Sequence, residues 1–182
     1  VAARDGRDWP PEIPRCRSCT DREDRVSGTK YPPPVHGLAP DRMAMSGATT
    51  GVFMPLMALF PNPQYFGAGP GLRSVTDWAS YNPGYPGRIL NLPQDDTTSY
   101  RKSSPIFFAD RIADPVAIFQ GSIDTVVPRA QSDLIVEALR RRGVPHEYHI
   151  YDGEGHGWRK RETIAAFWTA VDRFLQEYAL FG

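Results

Sequence analysis

The stretch from Pro115 to Gly143 is punctuated by residues with strong backbone preferences. Val116-Ala117-Ile118-Phe119-Gln120 is an apolar run of strand length bounded by Pro115 and Gly121. Pro128, with its fixed φ, then opens a helix that runs to about Arg142 and closes at Gly143. The same strand, turn, helix order recurs on both sides. Met43-Ala44-Met45-Ser46 reads as a short buried strand ending at Gly47, and Val52–Phe60 as a helix with Pro55 in its first turn. A further strand is expected around 67–75, diluted by Gly69, Pro70 and Gly71, and another over Glu147–Tyr151. Trp78–Pro93, rich in tyrosine, proline and glycine, reads as an ordered excursion. Arg161–Leu180 reads as a last amphipathic helix with Ile164, Phe167, Trp168, Val171, Phe174, Leu175 and Tyr178 on one face. Strands that alternate with helices imply an α/β fold with a mostly parallel sheet and flanking helices.

The front of the chain differs. Of 18 prolines, seven fall in the first 40 positions, where each removes a backbone donor and disfavours helix before it. Residues 1–40 are therefore expected to be an irregular proline-rich segment, and residues 41–182 the folded domain. Cys16 and Cys19 form a lone C-x-x-C, without the further ligands a structural zinc site needs or the βαβ setting of a redox pair, and read as loop thiols.

Charge narrows the partners. Lys plus Arg and Asp plus Glu both number 21, so no global field points to nucleic acid or to an anionic membrane surface. No apolar run reaches the roughly 18 residues of a membrane span, and the Val1–Gly6 start lacks a signal-peptide pattern. The reading is a soluble chain, cytoplasmic by preference, that begins partway into something longer.

In an open α/β sheet, ligands meet the loops at the carboxyl ends of the strands. Three such loops carry chemistry. Gly47-Ala48-Thr49-Thr50-Gly51 has the G-x-S-x-G spacing of a nucleophile elbow, with threonine in the serine position. Gly121–Pro128 holds Asp124, and Gly153-Glu154-Gly155-His156-Gly157 holds a histidine between glycines. A hydroxyl nucleophile needs a base, and that imidazole needs a carboxylate to fix its tautomer. Thr49, Asp124 and His156 arrive in the nucleophile, acid, histidine order of α/β-hydrolases. Taken singly, each has a plainer reading: glycines for helix packing, Asp124 as a helix cap, His156 as a loop histidine. Ser122 lacks elbow spacing, Glu154 with Asp124 and His156 makes a poor metal set, and Arg140-Arg141-Arg142 reads as a solvated helix end. His36, His146 and His149 show no partner pattern.

Ser103-Ser104-Pro105-Ile106 through Ala109-Asp110-Arg111-Ile112 opens a series of matching motifs. It continues with Pro115-Val116, Gln120-Gly121, Asp124, Val126-Val127-Pro128, Gln131, Glu137–Arg140, Gly143-Val144-Pro145 and Gly153–Gly157. This series resembles the C-terminal catalytic domain of prolyl oligopeptidase-family serine peptidases, including dipeptidyl aminopeptidase and acylaminoacyl-peptidase-like members. Asp41–Gly47, Val75-Thr76-Asp77-Trp78 and Tyr81–Tyr85 are similar to its elbow strand and the following excursion. The resemblance implies a partial α/β-hydrolase fold with the first strands missing. It implies Thr49 as nucleophile, Asp124 as acid, His156 as base and the Thr50 N–H as an oxyanion donor. It also favours Trp78, Tyr81 and Tyr85 as substrate-side aromatics, where residue type alone equally allows them to pin the loop, and it implies peptide or small ester substrates; no cofactor is expected, and no metal. With threonine as nucleophile and no His-Gly-Gly type loop upstream, weak hydrolysis is expected. The alternative is a catalytically inactive, truncated relative that acts at most as a binding or interaction domain.

Overall fold

The computed structural model describes residues 44–48, 69–81 and 95–180. Four strands occur among them: β1 (Gly47–Ala48), β2 (Gly69–Leu72), β3 (Val116–Gly121) and β4 (His146–Tyr151). They form one sheet in the order β1-β2-β3-β4, and every neighbouring pair is parallel. All six residues of β3 are buried, as an interior strand covered on both faces requires.

Side-chain alternation along β3 divides the core. Val116 and Ile118 point to one face and pack with Ile135, Val136 and Leu139 of helix α3 (Arg129–Arg142). Ala117 and Phe119 point to the other and pack with Phe167, Ala170, Val171 and Phe174 of helix α4 (Arg161–Leu175). Two short helices, α1 (Trp78–Tyr81) and α2 (Thr97–Lys102), and a 3-10 segment, Pro105–Arg111, link β2 to β3. The result is a parallel sheet between helical layers, which makes β3 the rigid centre from which the neighbouring loops project.

Pro128 and Gly143 bracket α3 as the sequence implies, with Gly143 at φ 68, a conformation that costs a side-chain-bearing residue but not glycine. Elsewhere the boundaries shift. The first strand lies at Gly47–Ala48, with only an isolated bridge at Ala44, instead of over 43–46; its partners are Gly71 and Leu72, and that pairing decides where it sits. Of the strand expected around 67–75, the described part is Gly69–Leu72, and it ends there because Arg73 turns to φ 54 and leaves the extended region. The last helix stays α-helical to Leu175 and widens to a π-turn over Gln176–Leu180. On α4 the expected apolar face is too broad. Ile164 and Trp168 are 40% and 62% exposed, and the buried stripe is Thr163, Phe167, Ala170, Val171 and Phe174. Arg140 and Arg141 pair with Glu137 in solvent as expected of a helix end. Arg142 instead turns inward and donates to the Ala109 and Ile112 carbonyls, tying α3 to the 3-10 segment. The helix expected over Val52–Phe60 and the proline-rich segment 1–40 lie outside the described residues.

One close crossing positions everything that follows. The chain after β4 passes directly over the end of β3, where Ser122 N–H donates to the Tyr151 carbonyl and Ile123 N–H to the Glu154 carbonyl. A Cβ on Gly121 would collide with the carbonyl oxygens of Glu154 and Gly155, and backbone cannot yield as a side-chain tip can. Gly121→Ala is therefore expected to cost about 1–3 kcal/mol of stability, the range typical of overpacking, with a lower thermal midpoint as the readout. An unchanged midpoint would mean that the two loops do not cross at this distance.

Candidate active site

Asp124 lies three residues beyond β3, and its two carboxylate oxygens do different work. Oδ1 accepts the N–H groups of Val126 and Val127, both at 2.9 Å, closing a turn ahead of α3. Oδ2 faces His156 Nδ1 at 2.8 Å. The Asp124 side chain is fully buried and that of His156 is 24% exposed, so this hydrogen bond is shielded on one side and reachable on the other. A carboxylate only accepts, so Nδ1 carries the hydrogen and Nε2 keeps the lone pair that can take up a proton. The capping role that the sequence allowed for Asp124 is thus partly present: the carboxylate serves the turn and the imidazole together, while the residue preceding α3, Pro128, has no side-chain cap.

The Asp124 loop is pinned from several directions. Tyr81 Oη donates to the Val126 carbonyl at 2.6 Å, and Gln120 Nε2 donates to the Val127 carbonyl at 3.0 Å while Ser132 Oγ donates to Gln120 Oε1. Buried Gln131 ties the start of α3 to the chain after β2, its Oε1 accepting from Thr76 N–H and Asp77 N–H.

The His156 loop has glycine at 153, 155 and 157, with Gly153 at φ 68, and needs anchors from outside its own backbone. Buried Glu154 supplies one: its carboxylate accepts the N–H groups of Arg159 and Lys160, each at 2.9 Å, and so holds both ends of the loop. Burial pushes this carboxyl's pKa up, but those N–H donors, the Thr163 hydroxyl and the Lys160 charge together bring it below its ordinary value. Arg73, at the end of β2, supplies the other by donating from Nη1 to the His156 carbonyl.

Thr49, Thr50 and Tyr85 lie outside the described residues. β1 ends at Ala48, the residue before Thr49, and runs parallel to β2 and β3, so the chain enters the elbow sequence at the rim that bears Asp124 and His156. Tyr81 is tied to the Asp124 loop and also lines a cleft of about 520 Å³ with Ser80, Pro128, Gln131, Leu134 and Glu137. Trp78 is 1% exposed and meets the Tyr81 ring edge-on at 6.0 Å, so it is packed in the protein interior. The Ser122 hydroxyl is engaged with Asp152 and Gly153 N–H across the β3–β4 rim. Glu154 is committed to main-chain donors, and no cluster of three or more metal-ligating side chains occurs among the described residues. His149 does have partners, contrary to the sequence reading. Its Nε2 is 2.6 Å from Glu147, which Arg173 also contacts, and its ring stacks on Phe119 at 5.0 Å. Arg73 was not singled out in the sequence, because an arginine at a strand end carries no local signature of a contact 83 positions away.

A parallel sheet between helical layers, with an acid after one strand and a histidine after the next, places the chain in the α/β-hydrolase class. A family model described as the prolyl oligopeptidase family matches residues 3–180, and the chain belongs to that family. Among curated relatives, dipeptidyl peptidase family member 6 of Caenorhabditis elegans is 31% identical over 148 residues, covering 74% of this chain and 20% of the relative. Among solved structures, a puromycin-hydrolyzing peptidase of Mycobacterium tuberculosis superposes with TM-score 0.82 at 27% identity, over 92% of this chain and 26% of the other. The dipeptidyl peptidase 4 of Porphyromonas gingivalis gives TM-score 0.83 at 23% identity, over 91% and 24%. The chain therefore spans about a fifth to a quarter of the length of these relatives. No helix among the described residues is long and apolar enough to cross a membrane.

The Glu154 anchor predicts an acid limb. A carboxyl whose folded-state pKa lies below its unfolded value stabilises the fold above the unfolded pKa, and that contribution is lost as pH falls through the folded pKa. Stability measured by denaturant unfolding is thus expected to decline below the ordinary value of 4.5. In Glu154→Gln, which cannot titrate, this part of the decline should be missing, and stability at neutral pH should be lower. Parallel profiles for the two proteins would remove Glu154 from the account of the loop.

Proposed function

We propose that this chain is the catalytic portion of a serine-peptidase-type hydrolase that cleaves peptide or ester bonds through an acyl-enzyme. In this reading Thr49 is the nucleophile, His156 the base and Asp124 the acid that orients it. The single observation that carries the reading is the buried Asp124 carboxylate 2.8 Å from His156 Nδ1. That hydrogen bond selects the tautomer in which Nε2 takes a proton, and it stabilises the imidazolium formed when it does.

The steps follow from these roles. The Thr49 hydroxyl attacks the substrate carbonyl carbon while its proton passes to His156 Nε2. The oxyanion of the tetrahedral intermediate is met by the Thr50 N–H. Collapse expels the leaving group, which takes the proton from His156, and water attacks the acyl-threonine with His156 again as base, regenerating the hydroxyl. Tyr81 and Tyr85 are the aromatic side chains assigned to the substrate side, and Tyr81 borders the cleft beside α3. Peptides are the substrate class that family membership favours. A threonine nucleophile brings a methyl group that restricts χ1 and crowds the approach to the carbonyl, so turnover is expected to be slow.

The test combines hydrolysis of a p-nitrophenyl ester with labelling by a fluorophosphonate probe. Thr49→Ser is expected to raise both rates, and His156→Ala in that background to abolish labelling. Asp124→Asn should lower kcat by about 10³–10⁴, with the base left in the wrong tautomer. Absence of labelling in both the parent chain and Thr49→Ser would overturn the hydrolase reading and leave the second one, a non-catalytic relative that binds a partner.

A further inference from the structure

Arg73 stands where a small residue or a glycine would be easier to accommodate. It is the only non-glycine residue with positive φ among those described, at φ 54, and its main-chain N–H is fixed by the Phe119 carbonyl at 2.8 Å. Its side chain reaches from β2 across the carboxyl rim of the sheet to the His156 loop. Nη1 donates to the His156 carbonyl, and the guanidinium carbon lies 5.3 Å from the Trp158 ring centroid. The charge also interacts with Asp124, whose pull partly offsets the burial that lowers the Arg73 pKa.

The strain and the contacts agree. A residue held in the left-handed region persists where its surroundings over-determine it. Here those surroundings are the β3 main chain below, Trp158 alongside and the His156 carbonyl ahead. The loop that carries the imidazole contains three glycines and has little stiffness of its own. Glu154 fastens it at residues 159 and 160, downstream of the histidine, and Arg73 fastens the histidine itself.

We propose that Arg73 is a positioning residue for the Asp124–His156 pair, holding the His156 main chain in the register that keeps Nδ1 on Asp124. The inference rests on the reading of His156 as the base, but the tautomer of its ring can be measured without substrate. Arg73 does not touch the reacting atoms. Its effect is therefore expected on kcat and not on KM.

Arg73→Gly is the variant of choice, because glycine accepts φ 54 without strain and the fold is not asked to absorb a new penalty. Long-range ¹H–¹⁵N correlation spectra of the imidazole, recorded near pH 8 and assigned with His156→Gln, report which ring nitrogen carries the hydrogen. The parent chain is expected to hold it on Nδ1. Arg73→Gly should move a large share to Nε2, with a thermal midpoint close to that of the parent, and added guanidinium ion should return the ring toward the parent state. On the ester substrate, kcat should fall by about 10–100-fold, as expected when a reacting group is misplaced by about 1 Å. An Nδ1–H ring that is unchanged in Arg73→Gly would overturn the inference while leaving the hydrolase reading intact. An Nε2–H ring already present in the parent would overturn the pair itself. Arg73→Met, which keeps the stem beside Trp158 and removes every donor, gives the same tautomer test should the glycine variant fail to fold.

Discussion

The burial of one carboxylate organises the functional end of this molecule. Asp124 has no exposed side-chain surface, and a buried carboxylate is costly unless its lone pairs are met. Two main-chain N–H groups and one imidazole N–H meet them, and the Arg73 charge attracts the carboxylate through space. The donors come from two places, the turn before α3 and the loop after β4, and the charge comes from the end of β2. Satisfying this carboxylate therefore requires two loops to converge, and removing the donors of either one leaves a buried charge short of a partner.

That convergence depends on a rigid base. β3 is buried on both faces, and its side chains alternate between the α3 layer and the α4 layer, so its end is fixed in position and direction. The β4 chain then crosses so near Gly121 that no side chain fits between. Close crossing brings Asp124 and His156 within hydrogen-bond reach, but it leaves a glycine-rich loop above it. Stiffness comes from side chains instead: Glu154 gathers N–H groups from within the loop, and Arg73 reaches in from a different strand. Rigid strands thus supply direction, and charge-assisted hydrogen bonds supply the final placement.

The chemistry expected at the rim is divided unevenly. In the proposed reading the hydrogen-bonded Asp124–His156 pair would supply the base and its carboxylate, and Thr49, a β-branched residue, would be the nucleophile. An ordered acid–base pair lowers the barrier to proton transfer only as far as the attacking hydroxyl can approach the carbonyl. In that reading, steric access at Thr49 would limit turnover more than the supply of a proton acceptor.

Local signals determined much of the architecture. The apolar run 116–120, Pro128 and Gly143 specify a strand and a helix within a few residues of themselves, because backbone dihedral preferences and hydrophobic period act over that range. The placement of Asp124 and His156 on loops after strands was legible for the same reason, since a parallel sheet sends the ends of its strands to one rim. Sequence by itself did not decide which stripe of α4 is buried, where the first strand begins, that Trp78 is sealed in the core, or that Arg73 holds the histidine loop. Those outcomes were set by tertiary structure. Ile164 and Trp168 have the right period but fall outside the width of the contact face, β1 begins where β2 offers it partners, and Arg73 meets His156 only because two strands between them align. Periodicity is a property of neighbours along the chain, whereas a contact across 83 positions exists only after the register of the sheet has been chosen.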